Sequence, residues 1–238
     1  MWITTTKPIS IYRRFLEIVT PRICAMCGHR LSASELVLCN TCNLHLPRTG
    51  FSANACRNEM ARLFWGQIPV ERAAALFFYE RHAQVANLIH QLKYKDHPEV
   101  GVLMGRLVAT EFAKDHFFNG LDGIVPVPIS SERLSHRGYN QSMEIAKGVS
   151  AVTGLPIFAD VLCRETFADT QTAHNRWARM ENVAHSFKLT NGEPIAGKHL
   201  LVIDDVVTTG ATVLACAKQL VKAGNVKISV LTLGCTKR

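Results

Sequence analysis

The sequence predicts an α/β protein with a mostly parallel sheet, preceded by a small cysteine-stapled module. Three observations carry this. From residue 70 onward, short apolar runs alternate with segments of helical periodicity. Positions 200–203 (LLVI) are apolar without alternation, as in a strand covered on both faces. Four of the eight cysteines, Cys24, Cys27, Cys39 and Cys42, fall into two close pairs near the N-terminus.

The chain has 238 residues, 47% of them hydrophobic and 19% charged, which suits one medium domain plus an appendage and leaves no large disordered part. Formal net charge is +8 and the isoelectric point about 9.2. A basic surface favours phosphate-rich ligands or nucleic acid, although no dense Lys/Arg run concentrates the charge. No apolar run approaches the roughly 20 residues of a membrane helix, so no membrane insertion is expected. In positions 1–20, Ile9, Ile11, Phe15, Leu16, Ile18 and Val19 form an apolar stripe interrupted by Arg13, Arg14 and Glu17. This predicts an amphipathic helix ending near Pro21 rather than a secretion signal. A reducing, cytoplasmic setting follows as the expectation, and there paired cysteines read as metal ligands before disulfides.

The elements are justified in order. Positions 1–66 are Cys-rich, weakly periodic and too few to bury a large core, so they predict an N-terminal helix and a metal-stapled module. Cys24-x-x-Cys27 and Cys39-x-x-Cys42 stand eleven residues apart. Two such turns make a closed tetrahedral four-thiolate zinc site of structural type. His29 and His45 lie near it, but four cysteines suffice, and Cys56 reads as a buried or free thiol before a spare ligand. Positions 67–238 predict the main domain. Strands are expected over 72–79, 123–127, 157–162, 200–203 and 226–233, and helices over 83–92, 100–117, 141–152 and 212–223. Positions 164–182 are polar and read as a long loop leading into a short helix.

The most informative segment is 200–212, LLVIDDVVTTGAT. A buried strand delivers Asp204 and Asp205 to its carboxyl end, where α/β sheets bind ligands. Adjacent carboxylates accept hydrogen bonds from neighbouring hydroxyls such as the ribose diol. The following Val206, Val207, Thr208, Thr209, Gly210, Ala211 and Thr212 open a helix whose free amides and dipole favour a phosphate. The order resembles the phosphoribosyl pyrophosphate-binding motif of type I phosphoribosyltransferases. That resemblance implies a Rossmann-like sheet, sugar hydroxyls on Asp204 and Asp205, a 5-phosphate in the turn, and magnesium carried largely by ligand and water.

Upstream, PVP at 126–128 is followed by SSERLSHRGYNQS. Arg133 and Arg137 can present cations to a pyrophosphate, and a comparable segment in amidophosphoribosyltransferases leads into the pyrophosphate loop. Arg164, Gln171 and Arg176 resemble the mobile arm of the same enzymes, whose closure excludes water. The four-cysteine module, LKYKD, PVP, HRGYNQ, the arm and IDDVVTTGAT together resemble the ComF family, with its ComFC- and GntX-like proteins, some of which take part in DNA uptake. The resemblance implies phosphoribosyl pyrophosphate as ligand and an enzyme transferring phosphoribosyl to an unspecified acceptor. A base-recognising hood would draw on positions 70–100, near Lys93, Tyr94 and Lys95. Residue 2 is Trp2 rather than a nucleophilic cysteine, so glutamine-derived ammonia is not the expected nucleophile. A non-catalytic factor that binds single-stranded DNA and DNA-uptake proteins is the alternative, and a ligand-sensing adaptor a third; an oligomer is compatible with all.

Overall fold

A computed structural model describes residues 22–94, 97–165 and 186–237. Strands β1 (Val70–Phe78), β2 (Gly123–Pro126), β5 (His199–Val207) and β6 (Lys227–Cys235) form a four-stranded parallel sheet in the order β1-β6-β5-β2. Strands β3 (Leu162–Arg164) and β4 (Phe187–Leu189) pair antiparallel as a separate ribbon. The helices are α1 (Asn40–Leu44), α2 (Glu59–Arg62), α3 (Val85–Tyr94), α4 (Pro98–Phe112), α5 (Ser131–Arg137), α6 (Gln141–Thr153) and α7 (Ala211–Leu220).

The middles of the strands are mostly apolar because both faces are covered. Leu201, Ile203, Leu231 and Leu233 feed a core shared with α3, α4 and α6. Leu200, Val202, Ile228 and Val230 feed the opposite core with α2, α7 and the β3–β4 ribbon. Alternate side chains of one strand thus enter different layers.

Helix α4 begins with Pro98 at its first turn, where the fixed φ of proline suits entry. Helix α6 is capped by Asn140, whose side chain accepts from Ser142 N, and stops at the left-handed Gly154. These two helices touch backbone to backbone. A Cβ on Gly105 would stand 2.2 Å from Ile145 O, and one on Gly148 2.1 Å from Val102 O. Gly105→Ala should therefore lower the unfolding free energy by about 3 kcal/mol in urea titration, despite the better helix propensity of alanine.

Several elements differ from the sequence expectation. Strand β5 does not stop at Ile203: Asp204 pairs with Thr232, Val206 with Gly234 and Val207 with Cys235, so the ladder carries through the acid pair. The basic segment after the PVP turn, which the resemblance leads one to expect as the start of a loop, is helix α5. Ser130 caps it by accepting from Arg133 N, and Gly138 ends it in the left-handed region. In place of one strand over 157–162, Ile157 makes a single parallel bridge to Ile124 and β3 pairs with β4. The long helix expected over 100–117 ends at Phe112 and is followed by a 3-10 turn and a left-handed His116. The N-terminal amphipathic stripe lies outside the described residues.

The cysteine module is not set apart from the body. Cys24, Met26, Leu31, Leu38 and Cys42 share a core cluster with Leu88 of α3 and Val108 of α4. Asn87 Nδ2 donates to Met26 O at 3.0 Å. Arg48 makes a two-pronged contact with Glu111 on α4, at 2.9 and 2.7 Å. Among the described residues no helix is long and apolar enough to cross a membrane.

Candidate functional site

The end of β5 presents two unlike carboxylates. Asp205 meets α3: its Oδ2 receives the Lys93 ammonium at 2.7 Å, and its Oδ1 accepts from Val206 N at 2.7 Å. Asp204 Oδ1 accepts from Ser142 Oγ of α6 at 3.0 Å and from Asp205 N at 2.9 Å. Among the described residues no hydrogen bond reaches Asp204 Oδ2. Burial, and then the Asp205 charge, push the Asp204 carboxyl up to about 7, against the opposing pull of Asp205 N, Ser142 and Lys93.

Beyond the acid pair the chain turns into α7. The N-cap Gly210 sits at φ +83° and has no side chain to cap the helix, while Thr209 Oγ1 accepts from Ala211 N at 3.4 Å. Leu214 N closes the first turn on Gly210 O at 2.8 Å. Thr208 and Thr209 are exposed, and Thr236 N of the chain beyond β6 holds Val207 O at 3.1 Å. Asp204 and residues 206–213 line a small open cleft here. A Cβ on Gly210 would lie 3.2 Å from Phe64 Cε1, so the segment after α2 braces the back of the turn. The turn therefore offers open amide donors, hydroxyls and a helix dipole to an anion.

Cations surround this end of the sheet. Arg133 and Arg137 lie one helical turn apart on α5, hence on one face. Arg133 is exposed, while Arg137 donates to Gln141 Oε1 at 2.9 Å and stands 5.3 Å above the Tyr94 ring. Arg164, from β3, stacks on Phe187 at 5.2 Å. Burial and the nearby Arg133 charge lower its pKa, which brings the expected arm residue into the field of the expected leaving-group residue. Gln171 and Arg176 lie outside the described residues. The sequence reading missed two groups on the acid pair. The sequence places Lys93 only near a segment that could form a base-recognising hood and gives Ser142 no role; only the register of α3 and α6 against β5 brings them there.

At the other end of the shared core, the thiols of Cys24, Cys27, Cys39 and Cys42 converge within 4.8 Å of one another. Cys27 Sγ and Cys39 Sγ are 3.8 Å apart, close to the edge of a tetrahedron with metal–sulfur bonds of about 2.3 Å. Cys39 N and Cys42 N donate to Cys24 Sγ and Cys39 Sγ, each at 3.4 Å, as amides around a thiolate site do. Burial and the three neighbouring thiols push the Cys42 thiol far up. The four residues are placed to hold a metal ion. Cys56 is exposed and outside the cluster.

A parallel sheet of this order, with an acid pair and a Thr-Thr-Gly turn at the carboxyl end of β5, defines a phosphoribosyltransferase-like α/β protein. By sequence the chain is similar to bacterial DNA utilization and competence proteins. It is 27% identical over 226 residues to the DNA utilization protein YhgH of Salmonella typhi, covering 91% of this chain and 98% of that one. It is 26% identical over 147 residues to competence protein F of Haemophilus influenzae, covering 60% and 64% of the two chains. With the competence protein ComFC of Bacillus subtilis it shares 22% identity, covering 93% of this chain and 81% of that one. No family model matches. Among solved structures, the allosteric regulatory enzyme of purine biosynthesis superposes with a TM-score of 0.40 at 20% identity, over 59% of this chain and 29% of that one. A Trypanosoma cruzi hypoxanthine phosphoribosyl transferase does so with a TM-score of 0.37 at 12% identity, over 59% and 76%.

Proposed function

We propose that the chain binds phosphoribosyl pyrophosphate at the end of β5, with a zinc ion held by Cys24, Cys27, Cys39 and Cys42 as a structural staple. The observation that carries the reading is the strand that runs through Asp204 and Asp205 into a turn with the N-cap Gly210 at φ +83°. The amides and hydroxyls of 208–212 take the 5-phosphate, and the acid pair takes the ribose hydroxyls. Carboxylate oxygens with an open acceptor at Asp204 also suit a hard divalent cation, so ligand-borne magnesium fits here and would neutralise diphosphate charge. Arg133 and Arg137 on one face of α5, with Arg164 beside them, stabilise a departing pyrophosphate. Transfer of the sugar to an acceptor would then proceed by displacement at C1, in a cytoplasmic setting.

Calorimetry with magnesium and phosphoribosyl pyrophosphate tests the binding. Saturable heat is expected, with weaker binding of ribose 5-phosphate, which lacks the pyrophosphate seen by the arginines. Absence of both heat and thermal stabilisation would remove the reading.

A second reading has its own support: the relatives are named for DNA utilization and competence, and the net charge is +8. On this view the chain binds single-stranded DNA. A gel shift that weakens steeply with salt is the expected result, and no shift at low salt would end that option.

A further inference from the structure

We infer that Lys93 is the resident cation of the acid pair: it denies Asp205 to free divalent metal, so that metal enters only together with the sugar diphosphate. This rests on the sugar-phosphate reading of the site and adds a rule of entry to it. Asp205 has both oxygens engaged, Oδ2 by the Lys93 ammonium at 2.7 Å and Oδ1 by Val206 N at 2.7 Å. The ion pair is not a loose surface contact. The two side chains retain 27% and 13% of their exposure, so their attraction is screened far less than that of a solvated pair.

The lysine is also fixed from its own side. It lies in the last turn of α3, where Tyr139 Oη donates to Leu92 O at 2.8 Å and Arg137 stands over the Tyr94 ring. Both neighbours of Lys93 in sequence are therefore tied to the α5–α6 junction. That junction carries Arg137, one of the cations proposed for pyrophosphate. The geometry links the two ends of the site. An anion that draws Arg137 off Tyr94 loosens the turn that aims Lys93, and the acid pair then opens to the metal borne by the same ligand. A bare cation has nothing with which to engage Arg137 and meets a lysine in place.

The test uses the zinc-loaded protein and manganese as the probe, followed by electron paramagnetic resonance and calorimetry without any sugar. The native chain is expected to bind manganese weakly. Lys93→Met and Lys93→Gln, both uncharged, are expected to bind it roughly tenfold more tightly or better, since a unit charge at contact distance is removed. Lys93→Arg should behave like the native chain, and adding Asp205→Asn to either neutral variant should abolish the gain. The inference is overturned if a neutral variant that folds, judged by its circular dichroism, binds manganese no better than the native chain. It is also overturned if the native chain already binds the metal at a site that Asp205→Asn removes. Binding of phosphoribosyl pyrophosphate by the native chain is measured separately, so failure of the sugar-phosphate reading is seen on its own.

Discussion

Asp204→Asn and Asp205→Asn are each expected to weaken magnesium–phosphoribosyl pyrophosphate binding, and the double variant to abolish it, while the two single changes move the stability of the free protein in opposite directions. A hydrogen bond to a charged group contributes about 1.5–3 kcal/mol, so losing two charged acceptors corresponds to roughly 100-fold or more in affinity. The stability effects follow from the neighbours. Asp204 is pushed up to about 7 by burial and by Asp205. A carboxyl whose folded value lies above its ordinary one favours folding when protonated. Its contribution is fully present below pH about 4 and is lost as pH rises through about 7. Asparagine keeps the Oδ1 acceptor for Ser142 and Asp205 N without the charge. Asp204→Asn should therefore raise stability at pH 8, on the order of 1–3 kcal/mol, and flatten its decline between pH 4 and 7. Asp205→Asn instead strands the half-buried Lys93 ammonium and should lower stability. Chemical denaturation at pH 4.5 and pH 8, beside calorimetry of the ligand, measures both. A double variant that still binds would show that the acid pair does not hold the sugar. A destabilised Asp204→Asn at pH 8 would show that its carboxylate is satisfied when ionised.

The contrast between those two aspartates marks how far the sequence could be read. The apolar run before them, the Thr-Thr-Gly turn and the paired cysteines are local signals. They depend on strand burial, on positive φ at Gly210 and on ligand spacing, all of which operate within a few residues. The parallel sheet follows from alternation of strands and helices. The partners of the acid pair do not follow from any local rule. Lys93 is 112 positions before Asp205, and only the seating of α3 on the Leu201–Ile203 face brings its ammonium to that carboxylate. The same holds for Ser142. Its helix can approach because Gly101, Gly105 and Gly148 let α4 and α6 close to backbone contact, and the glycines in sequence look like weak points in two helices. The apolar run ends at Ile203, so the strand expected from sequence stops four residues before the observed β5. Here β6 continues alongside, pairing Thr232 with Asp204 and Gly234 with Val206.

Removing the metal from the cysteine cluster should unfold more than the module. The thiols are the staple of a region too small to hold a core of its own, yet its apolar residues complete a core shared with α3 and α4. Chelation of the zinc-loaded protein is therefore expected to lower the unfolding free energy by at least about 3 kcal/mol, and Cys24→Ser to do the same. Cys24 is fully buried, and a serine hydroxyl there would lose both the metal and the volume of sulfur. Cys56→Ser, at an exposed thiol outside the cluster, should change nothing. The loss has a direction. Asn87 of α3 holds Met26 O, and Lys93 follows six residues later on the same helix, so loosening the module frees the element that carries the Asp205 counter-ion. Thermal unfolding with and without chelator, paired with metal content by atomic emission, checks the first part. Manganese binding after partial chelation checks the second, and should rise as Lys93 is released. An unfolding midpoint indifferent to chelator would mean that the four thiols stabilise the core without a metal. A midpoint that falls while the acid pair keeps its resistance to manganese would mean that the module and the sugar-phosphate site are held independently.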